Sequence, residues 1–179
     1  MPRALLIRHC ESTGPAPDAP LTPQGRIQAV ALAGRLAMHP IDHIVSSPYR
    51  RAHDTIAPFA SRAGLPVHVD AQLVERRMSP GPIPNWREVV ERSFVDPDHR
   101  VSGGESGAET LARGLAAISA IVSAGHRLPV VVSHGQLLSL VLHSIDPEFG
   151  YRGWQSLENP EVFLLEVDGE QRAFSRLAG

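Results

Sequence analysis

Residues Ala4 to Thr13 read ALLIRHCEST, and this stretch decides how the rest of the chain is interpreted. Four apolar residues run without polar alternation directly into Arg8 and His9. A short continuous apolar run is typical of a strand buried on both faces, as in the middle of a parallel sheet. In open α/β sheets, ligands bind just beyond the carboxyl ends of the strands. The stretch therefore predicts a buried first strand that delivers Arg8 and His9 to a binding site.

A second stretch ends in the same way. Residues Leu128 to Ser133 form another apolar run, and His134-Gly135 follows it directly. If both strands are central and parallel, the imidazoles of His9 and His134 reach the same edge of the sheet. We interpret His9 as a nucleophile and Arg8 as the group that holds an anion in front of it.

Proline, glycine and capping signals divide the rest of the chain into alternating strands and helices. Thr22-Pro23 and Ser47-Pro48 are typical of helix starts, with an N-cap followed by proline at the first helical position. Predicted strands cover residues 41–46, 67–69 and 128–133, with a closing pair at 162–167 and 172–174. Predicted helices cover residues 23–38, 48–63, 86–94, 106–124 and 135–145. This order predicts right-handed βαβ units and a mainly parallel sheet.

Length and composition limit the class of protein. The 179 residues suit one domain, and 42% hydrophobic residues argue against disorder. A net charge of −2 gives no reason to expect nucleic acid or an anionic membrane as partner. No stretch approaches the roughly 20 apolar residues that cross a bilayer, and no signal-peptide pattern is visible. A single cysteine, Cys10, excludes an internal disulfide, so we expect a cytoplasmic protein.

Three further residues are candidates for the site. Arg51 lies near the start of the second predicted helix, where free N–H groups already favour an anion, although a solvated helix face is the alternative. Glu75 follows the third strand and is interpreted as a general acid for a leaving oxygen, or as an ordinary salt-bridged carboxylate. Ser106, with Glu109 three residues on, fits a capping box and is a candidate phosphate contact.

These motifs occur in an order that resembles one known family, the histidine phosphatase superfamily, also called the phosphoglycerate mutase-like family. The resemblance covers most of the chain, from Ala4 to Gly135. Its residues are Arg8-His9, Leu21-Thr22, Gly25, Gln28-Ala29, Ser46-Ser47-Pro48, Arg51, Thr55, Leu73, Glu75, Gly104-Glu105-Ser106 and Ser133-His134-Gly135.

The resemblance implies a three-layer α/β/α sandwich and a phosphohistidine intermediate. His9 is then the nucleophile, and Glu75 is the proton donor. Arg8, Arg51 and His134 form the phosphate pocket, with His134 also counted among the catalytic residues. No metal or other cofactor is implied, because arginine and histidine side chains supply the positive charge. We expect one domain over residues 1–179, with a short cap segment around residues 76–103.

The expected activity is hydrolysis of a phosphate monoester. Phosphotransfer of the phosphoglycerate mutase type is the first alternative, and an inactive domain that binds phosphate or phosphoprotein is the second. The loop Gly14 to Pro20 carries no cation, whereas mutases of the family hold a phosphorylated acid there, so hydrolysis is favoured. The expected partner is a phosphorylated small molecule, with protein phosphohistidine as another substrate class.

Cys10 stands where the family usually has glycine. If that position needed a positive φ, the side chain would strain the backbone by roughly 1 kcal/mol or more. A cysteine phosphatase is disfavoured, because its Cys-x5-Arg loop would need arginine where Ala16 stands. Zinc binding by His39 and His43 is disfavoured too, since Pro40 follows His39 and the helical HExxH pair is absent.

Overall fold

The computed structural model describes residues 1–177, in which a six-stranded sheet lies between helices. The first half of the chain forms β1 (Arg3–Arg8), α1 (Pro23–Leu36), β2 (His43–Ser46), α2 (Arg50–Ala63), β3 (Val67–Val69), a 3-10 turn (Ala71–Leu73) and α3 (Trp86–Arg92). The second half forms α4 (Gly107–Ser123), β4 (Pro129–Ser133), α5 (Gly135–Ile145), α6 (Gly150–Gln155), β5 (Glu161–Asp168) and β6 (Gln171–Arg176).

The strands lie in the order β3-β2-β4-β1-β5-β6. The first four are parallel, whereas β5 pairs antiparallel with β1 and β6 pairs antiparallel with β5. Arg8 at the end of β1 is in register with Ser133 of β4, and Ser46 of β2 with Val132. The carboxyl ends of three neighbouring parallel strands therefore meet at one edge of the sheet, as predicted.

The apolar run of β1 explains why helices cover both faces. Successive side chains of a strand point to opposite faces. Leu5 and Ile7 pack in a cluster with residues of α1 and α2, and Leu6 packs with residues of α4 and α5. All three leucine and isoleucine side chains are fully buried, and each such burial stabilises the fold by about 1.5–3 kcal/mol. The predicted three-layer α/β/α architecture with a mainly parallel sheet is confirmed.

Helix starts follow the capping signals in two of three cases. Thr22 caps α1 by accepting from Gly25 N, and Ser106 with Glu109 forms the predicted capping box of α4. The start of α2 was predicted wrongly: the helix begins at Arg50, with Tyr49 at the N-cap and no side-chain cap bond. Ser47 Oγ instead accepts from Tyr49 N at 3.2 Å, outside the helix itself.

The segment between Glu75 and α4 is irregular apart from α3, which ends at Arg92 rather than at the predicted Phe94. Trp86 of α3 packs edge-to-face on Trp154 of α6, with ring centroids 5.8 Å apart. Helix α6 was not predicted, since Gly150 and Gly153 weaken its helical pattern. The last two residues of the expected 1–179 domain lie outside the described part of the chain. Within residues 1–177, the helices are too short or too polar to cross a bilayer.

Candidate active site

His9 lies one residue beyond β1 and is held at both ring nitrogens. Its backbone N–H donates to Ser133 O of β4 at 3.1 Å. Its Nδ1 lies 2.7 Å from Cys10 O, and a carbonyl oxygen can only accept, so Nδ1 carries the proton. Nε2 is then unprotonated, and its lone pair accepts a hydrogen bond from Arg51 Nε at 3.1 Å. The ring therefore presents a nucleophilic nitrogen to a guanidinium group.

His134 lies beside it, at the junction of β4 and α5. The two ring centroids are 5.1 Å apart, and the rings meet edge-on at 63°. His134 is completely buried, and its Nε2 lies 2.8 Å from Ser47 Oγ. Its Nδ1 is buried without a hydrogen-bond partner in residues 1–177. An unpaired buried nitrogen costs stability, so this atom is not explained by the fold alone.

Both imidazoles are neutral near pH 7. Burial, opposed by the hydrogen bond to the Cys10 carbonyl and assisted by the charges of Arg51 and Arg8, lowers the pKa of His9 to about 3. Burial, followed by the proximity of His9 and of Arg51, lowers the pKa of His134 well below its usual value. A neutral imidazole keeps the lone pair that nucleophilic attack requires.

Two arginines are fixed next to these rings. Arg8 Nη1 donates to Leu157 O at 2.8 Å, and Arg51 Nη1 donates to Pro15 O and Ala16 O at 3.0 and 2.8 Å. The Nη2 atom of neither arginine makes a hydrogen bond to residues 1–177, so both can bind an anion. Burial lowers the pKa of both guanidinium groups, and Glu75 opposes that shift, but arginine remains charged in proteins.

The N-terminus of α5 holds Glu75 beside His134. The two carboxylate oxygens of Glu75 accept from Gln136 N and Leu137 N, both at 3.1 Å. Gly135 lets this helix end lie close to Arg8. A Cβ at position 135 would lie 3.3 Å from Arg8 Nε, which is a tight contact. The carboxylate is thus positioned by backbone donors one turn from His134.

Arg113 of α4 fixes the backbone on which Glu75 sits. Its Nη1 donates to Val74 O at 2.8 Å and to Gln72 O at 2.6 Å. Its Nε and Nη2 donate to the two carboxylate oxygens of Glu105 at 2.9 and 3.0 Å. A bidentate pair of this kind is geometrically specific, so Glu105 holds the Arg113 side chain against the backbone of residues 72–74.

The structure shows Ser106 as the cap of α4, the first of its two predicted roles. Its side chain is 1% exposed, and its Oγ accepts from Glu109 N at 3.1 Å within the capping box of α4. The hydroxyl is buried and engaged in the cap, and its predicted contact with phosphate stays a prediction. The other predicted residues, Arg8, His9, Arg51, Glu75 and His134, come together at the carboxyl edge of the sheet.

Three residues at the site were missed. Ser47, interpreted as a helix cap, contacts His134 instead. The ring of Tyr49 lies edge-on to His134 at 5.1 Å, and the Arg51 guanidinium lies 4.9 Å from its centroid. Asn159 donates from Nδ2 to His9 O at 2.6 Å, and no motif in the sequence pointed to it.

Cys10 does not behave as a nucleophile or as a strained residue. Its side chain is fully buried against Leu21 and Ala29. Burial raises the pKa of its thiol to about 11, so a thiolate is disfavoured. Positive φ angles in residues 1–177 occur only at glycines, so cysteine fits this position without strain. The same residues contain no group of three histidine, cysteine, aspartate or glutamate side chains placed to hold a metal ion.

Comparison with known proteins identifies the family. The model of the histidine phosphatase superfamily (branch 1) matches residues 4–178. The glucosyl-3-phosphoglycerate phosphatase of Mycolicibacterium vanbaalenii is 33% identical over 142 residues, which cover 68% of this chain and 61% of that protein. A "Probable phosphoglycerate mutase GpmB" of Proteus mirabilis is 32% identical over 137 residues, covering 72% and 64%.

Solved structures share the fold. The mycobacterial glucosyl-3-phosphoglycerate phosphatase solved with VO3 has a TM-score of 0.81 at 25% identity, and the match covers 98% of each chain. The family model, which matches residues 4–178, spans the strands, helices and loops that hold His9 and His134. The chain belongs to the histidine phosphatase superfamily.

Proposed function

We propose that this protein is a phosphomonoesterase that hydrolyses its substrate through a phosphohistidine on His9. One observation carries the proposal. The neutral His9 ring, with its Nε2 lone pair facing Arg51 at 3.1 Å, lies 5.1 Å from the second neutral imidazole, His134. Names of two kinds of relative, a phosphatase and a mutase, agree with phosphoryl chemistry.

In the first step, His9 Nε2 attacks phosphorus in line with the leaving oxygen. The N–P bond forms, the P–O bond breaks, and Glu75 in its acid form gives a proton to the departing alkoxide. Arg51 Nε, which donates to Nε2 in the free protein, transfers its hydrogen bond to a phosphoryl oxygen. Arg8, Arg51 and His134 stabilise the charge on the equatorial oxygens, where most of the rate enhancement arises.

In the second step, water attacks the phosphohistidine. The Glu75 carboxylate takes a proton from the water, the N–P bond breaks, and inorganic phosphate leaves with neutral His9 restored. Each group ends in its starting protonation state, so no further reactant is needed. Because Arg8 and Arg51 already place two positive charges at the pocket, we propose that turnover needs no metal ion.

The substrate is proposed to be a phosphorylated small molecule in the cytoplasm. Hydrolysis is favoured over mutase chemistry because the loop Gly14 to Pro20 offers no cation to a second acidic group. Two carbonyl oxygens of that loop, Pro15 O and Ala16 O, instead accept from Arg51. The loop therefore supports the phosphate pocket and leaves the rest of the substrate to other residues.

A panel of phosphomonoesters, including glucosyl-3-phosphoglycerate and phosphoglycerate, tests the proposal. We expect release of inorganic phosphate, no isomerised phosphoglycerate, an acid-labile labelled protein in rapid quench, and no loss of rate in EDTA. His9→Ala should lose both the label and turnover. Isomerised product would indicate a mutase, and equal near-zero rates for wild type and His9→Ala would indicate a binding domain. A chelator-sensitive rate would contradict metal independence.

A further inference from the structure

We propose that Thr55 and Asn159 are positioning residues that hold the His9–Cys10 peptide from its two ends and thereby aim the His9 ring. The inference rests on the proposed function, since it concerns the nucleophile of that reaction. Neither residue touches the reacting atoms. Thr55 belonged to the family motif without a role, and Asn159 belonged to no motif.

The two bonds converge on one peptide unit. Asn159 Nδ2 donates to His9 O at 2.6 Å, and Cys10 N donates to Thr55 Oγ1 at 2.8 Å. These are the acceptor and the donor of the same planar group. Thr55 lies on α2 and Asn159 lies just before β5, so the peptide is held between two separate parts of the fold.

The orientation of the Thr55 hydroxyl is itself determined. Thr55 Oγ1 donates to Arg51 O at 2.7 Å, which directs a lone pair toward Cys10 N. The side chain is 1% exposed, so water does not compete for either bond. The backbone of Arg51, whose guanidinium faces His9 Nε2, is thus linked to the peptide that carries His9.

The segment containing Asn159 holds the neighbouring arginine as well. Arg8 Nη1 donates to Leu157 O at 2.8 Å and to Glu158 O at 3.3 Å. Three consecutive residues therefore determine where both Arg8 and His9 lie. A shift of residues 157–159 would therefore displace Arg8, the proposed phosphate-binding group, together with His9, the proposed nucleophile.

The next peptide sets the tautomer. His9 Nδ1 donates to Cys10 O at 2.7 Å, and Glu11 N of the same peptide donates to Gln28 Oε1 at 2.9 Å. If the His9–Cys10 peptide rotates, Cys10 O turns away from Nδ1 and the proton is free to move to Nε2. A ring protonated at Nε2 has no lone pair for phosphorus, and a misplacement of about 1 Å can cost about 100-fold in rate.

Isosteric variants separate positioning from stability. Thr55→Val removes the hydroxyl, Thr55→Ser retains it, and Asn159→Asp replaces the amide donor by an acceptor. Thr110→Val is the matched control: Thr110 is buried, and its Oγ1 donates to Ser106 O at 3.0 Å, the same one-turn bond that Thr55 makes to Arg51. The readouts are kcat, KM, the single-turnover rate of phosphohistidine formation and the ¹⁵N shifts of the His9 ring, assigned with His9→Ala.

We expect kcat and the phosphorylation rate to fall about 10-fold in Thr55→Val and about 100-fold in Asn159→Asp, with KM within about twofold. The ¹⁵N shifts of both variants should show a His9 ring that is protonated at Nε2, whereas Thr55→Ser and Thr110→Val should match wild type.

If Asn159→Asp does not fold, Asn159→Ala removes the donor without adding charge. Full activity of His9→Ala would overturn the proposed function itself. An inactive His9→Ala beside unchanged rates or an unchanged tautomer in Thr55→Val and Asn159→Asp would overturn only the positioning inference.

Discussion

Two groups of histidines lie at opposite ends of the same sheet, and their surroundings differ. His9 and His134 meet edge-on at the carboxyl ends of β1 and β4. At the amino end of β2, the ring of His43 stacks on His126 at 3.8 Å and on His68 at 4.7 Å. We call the second group, His43, His68 and His126, the histidine stack.

From this difference we expect only His9 and His134, and not the histidine stack, to form a reactive site. His9 and His134 are buried, and their nitrogens contact Arg51, Ser47 and a backbone carbonyl. The stacked rings are half-buried or exposed and make no ring hydrogen bonds to residues 1–177. Burial and directed contacts keep the His9 imidazole neutral and fix its tautomer and orientation, whereas the stacked rings gain mainly contact area from one another.

Replacing one histidine from each group gives the largest contrast. His134→Ala should lower kcat about 100- to 1,000-fold, because it removes one of the groups that stabilise the transferring phosphoryl group. His126→Ala should keep the wild-type rate. Steady-state kinetics on one phosphomonoester measure both, and equal losses would remove the distinction between the two groups.

The guanidinium beside His9 should matter more than its neighbour in the sequence. Arg51→Lys should lower kcat/KM about 100-fold, because the single ammonium nitrogen of lysine lacks the rigid fork by which Arg51 donates to the loop carbonyls from Nη1 and to the site from Nε. Arg50→Lys is the matched control, since the Arg50 side chain is exposed and, among residues 1–177, pairs with Asp54 alone. A similar loss in both variants would show that charge, not geometry, sets the effect.

The buried imidazole should make stability depend on pH in a defined window. The pKa of His9 is about 3 in the folded protein against 6.5 when unfolded, so the unfolded chain binds the extra proton as pH falls. Stability from this group is complete above pH 6.5 and is lost below it, by about 1.4 kcal/mol per pH unit, or about 3 kcal/mol between pH 7 and 4. Urea unfolding of wild type and His9→Asn at several pH values should show the gap closing on acidification. A constant gap would contradict the burial argument.

The smallest effect is expected in the histidine stack. His126→Asn removes the closest ring contact of His43, which is worth about 0.5–1.5 kcal/mol at most for an aromatic pair and less near solvent. The unfolding free energy at pH 7 should therefore change by less than about 1 kcal/mol, measured by urea titration. A loss of several kcal/mol would mean that the stack is a structural element.

Local patterns predicted the elements that carry the site. The apolar runs that end in Arg8-His9 and in Ser133-His134 predicted buried parallel strands, and the register of β1 with β4 confirms that both end at one edge. The capping box at Ser106 could likewise be predicted from the sequence, because it depends on two residues three positions apart. The burial of the Ser106 hydroxyl could not be predicted, since it depends on the folded chain, and the predicted phosphate contact stays a prediction.

The contacts that aim the side chains could not be predicted. Asn159 reaches His9 across 150 residues of sequence, and Ser47 reaches His134 across 87. Helix α6, with two glycines, forms where aromatic side chains pack against α3. None of these features has a sequence period or a capping pattern of its own.

Sequence alone determined which residues end the buried strands, because each apolar run stops where polar or charged residues begin. Residues that follow a strand directly in sequence must also lie at its end in space. It also determined the family, through motifs that keep their order along the chain. Only the tertiary structure decided which nitrogen of His9 carries the proton, which serine contacts His134 and which side-chain amide donates to the His9 carbonyl. Those choices depend on distances between segments far apart in sequence, and only the packed sheet and its helices set such distances.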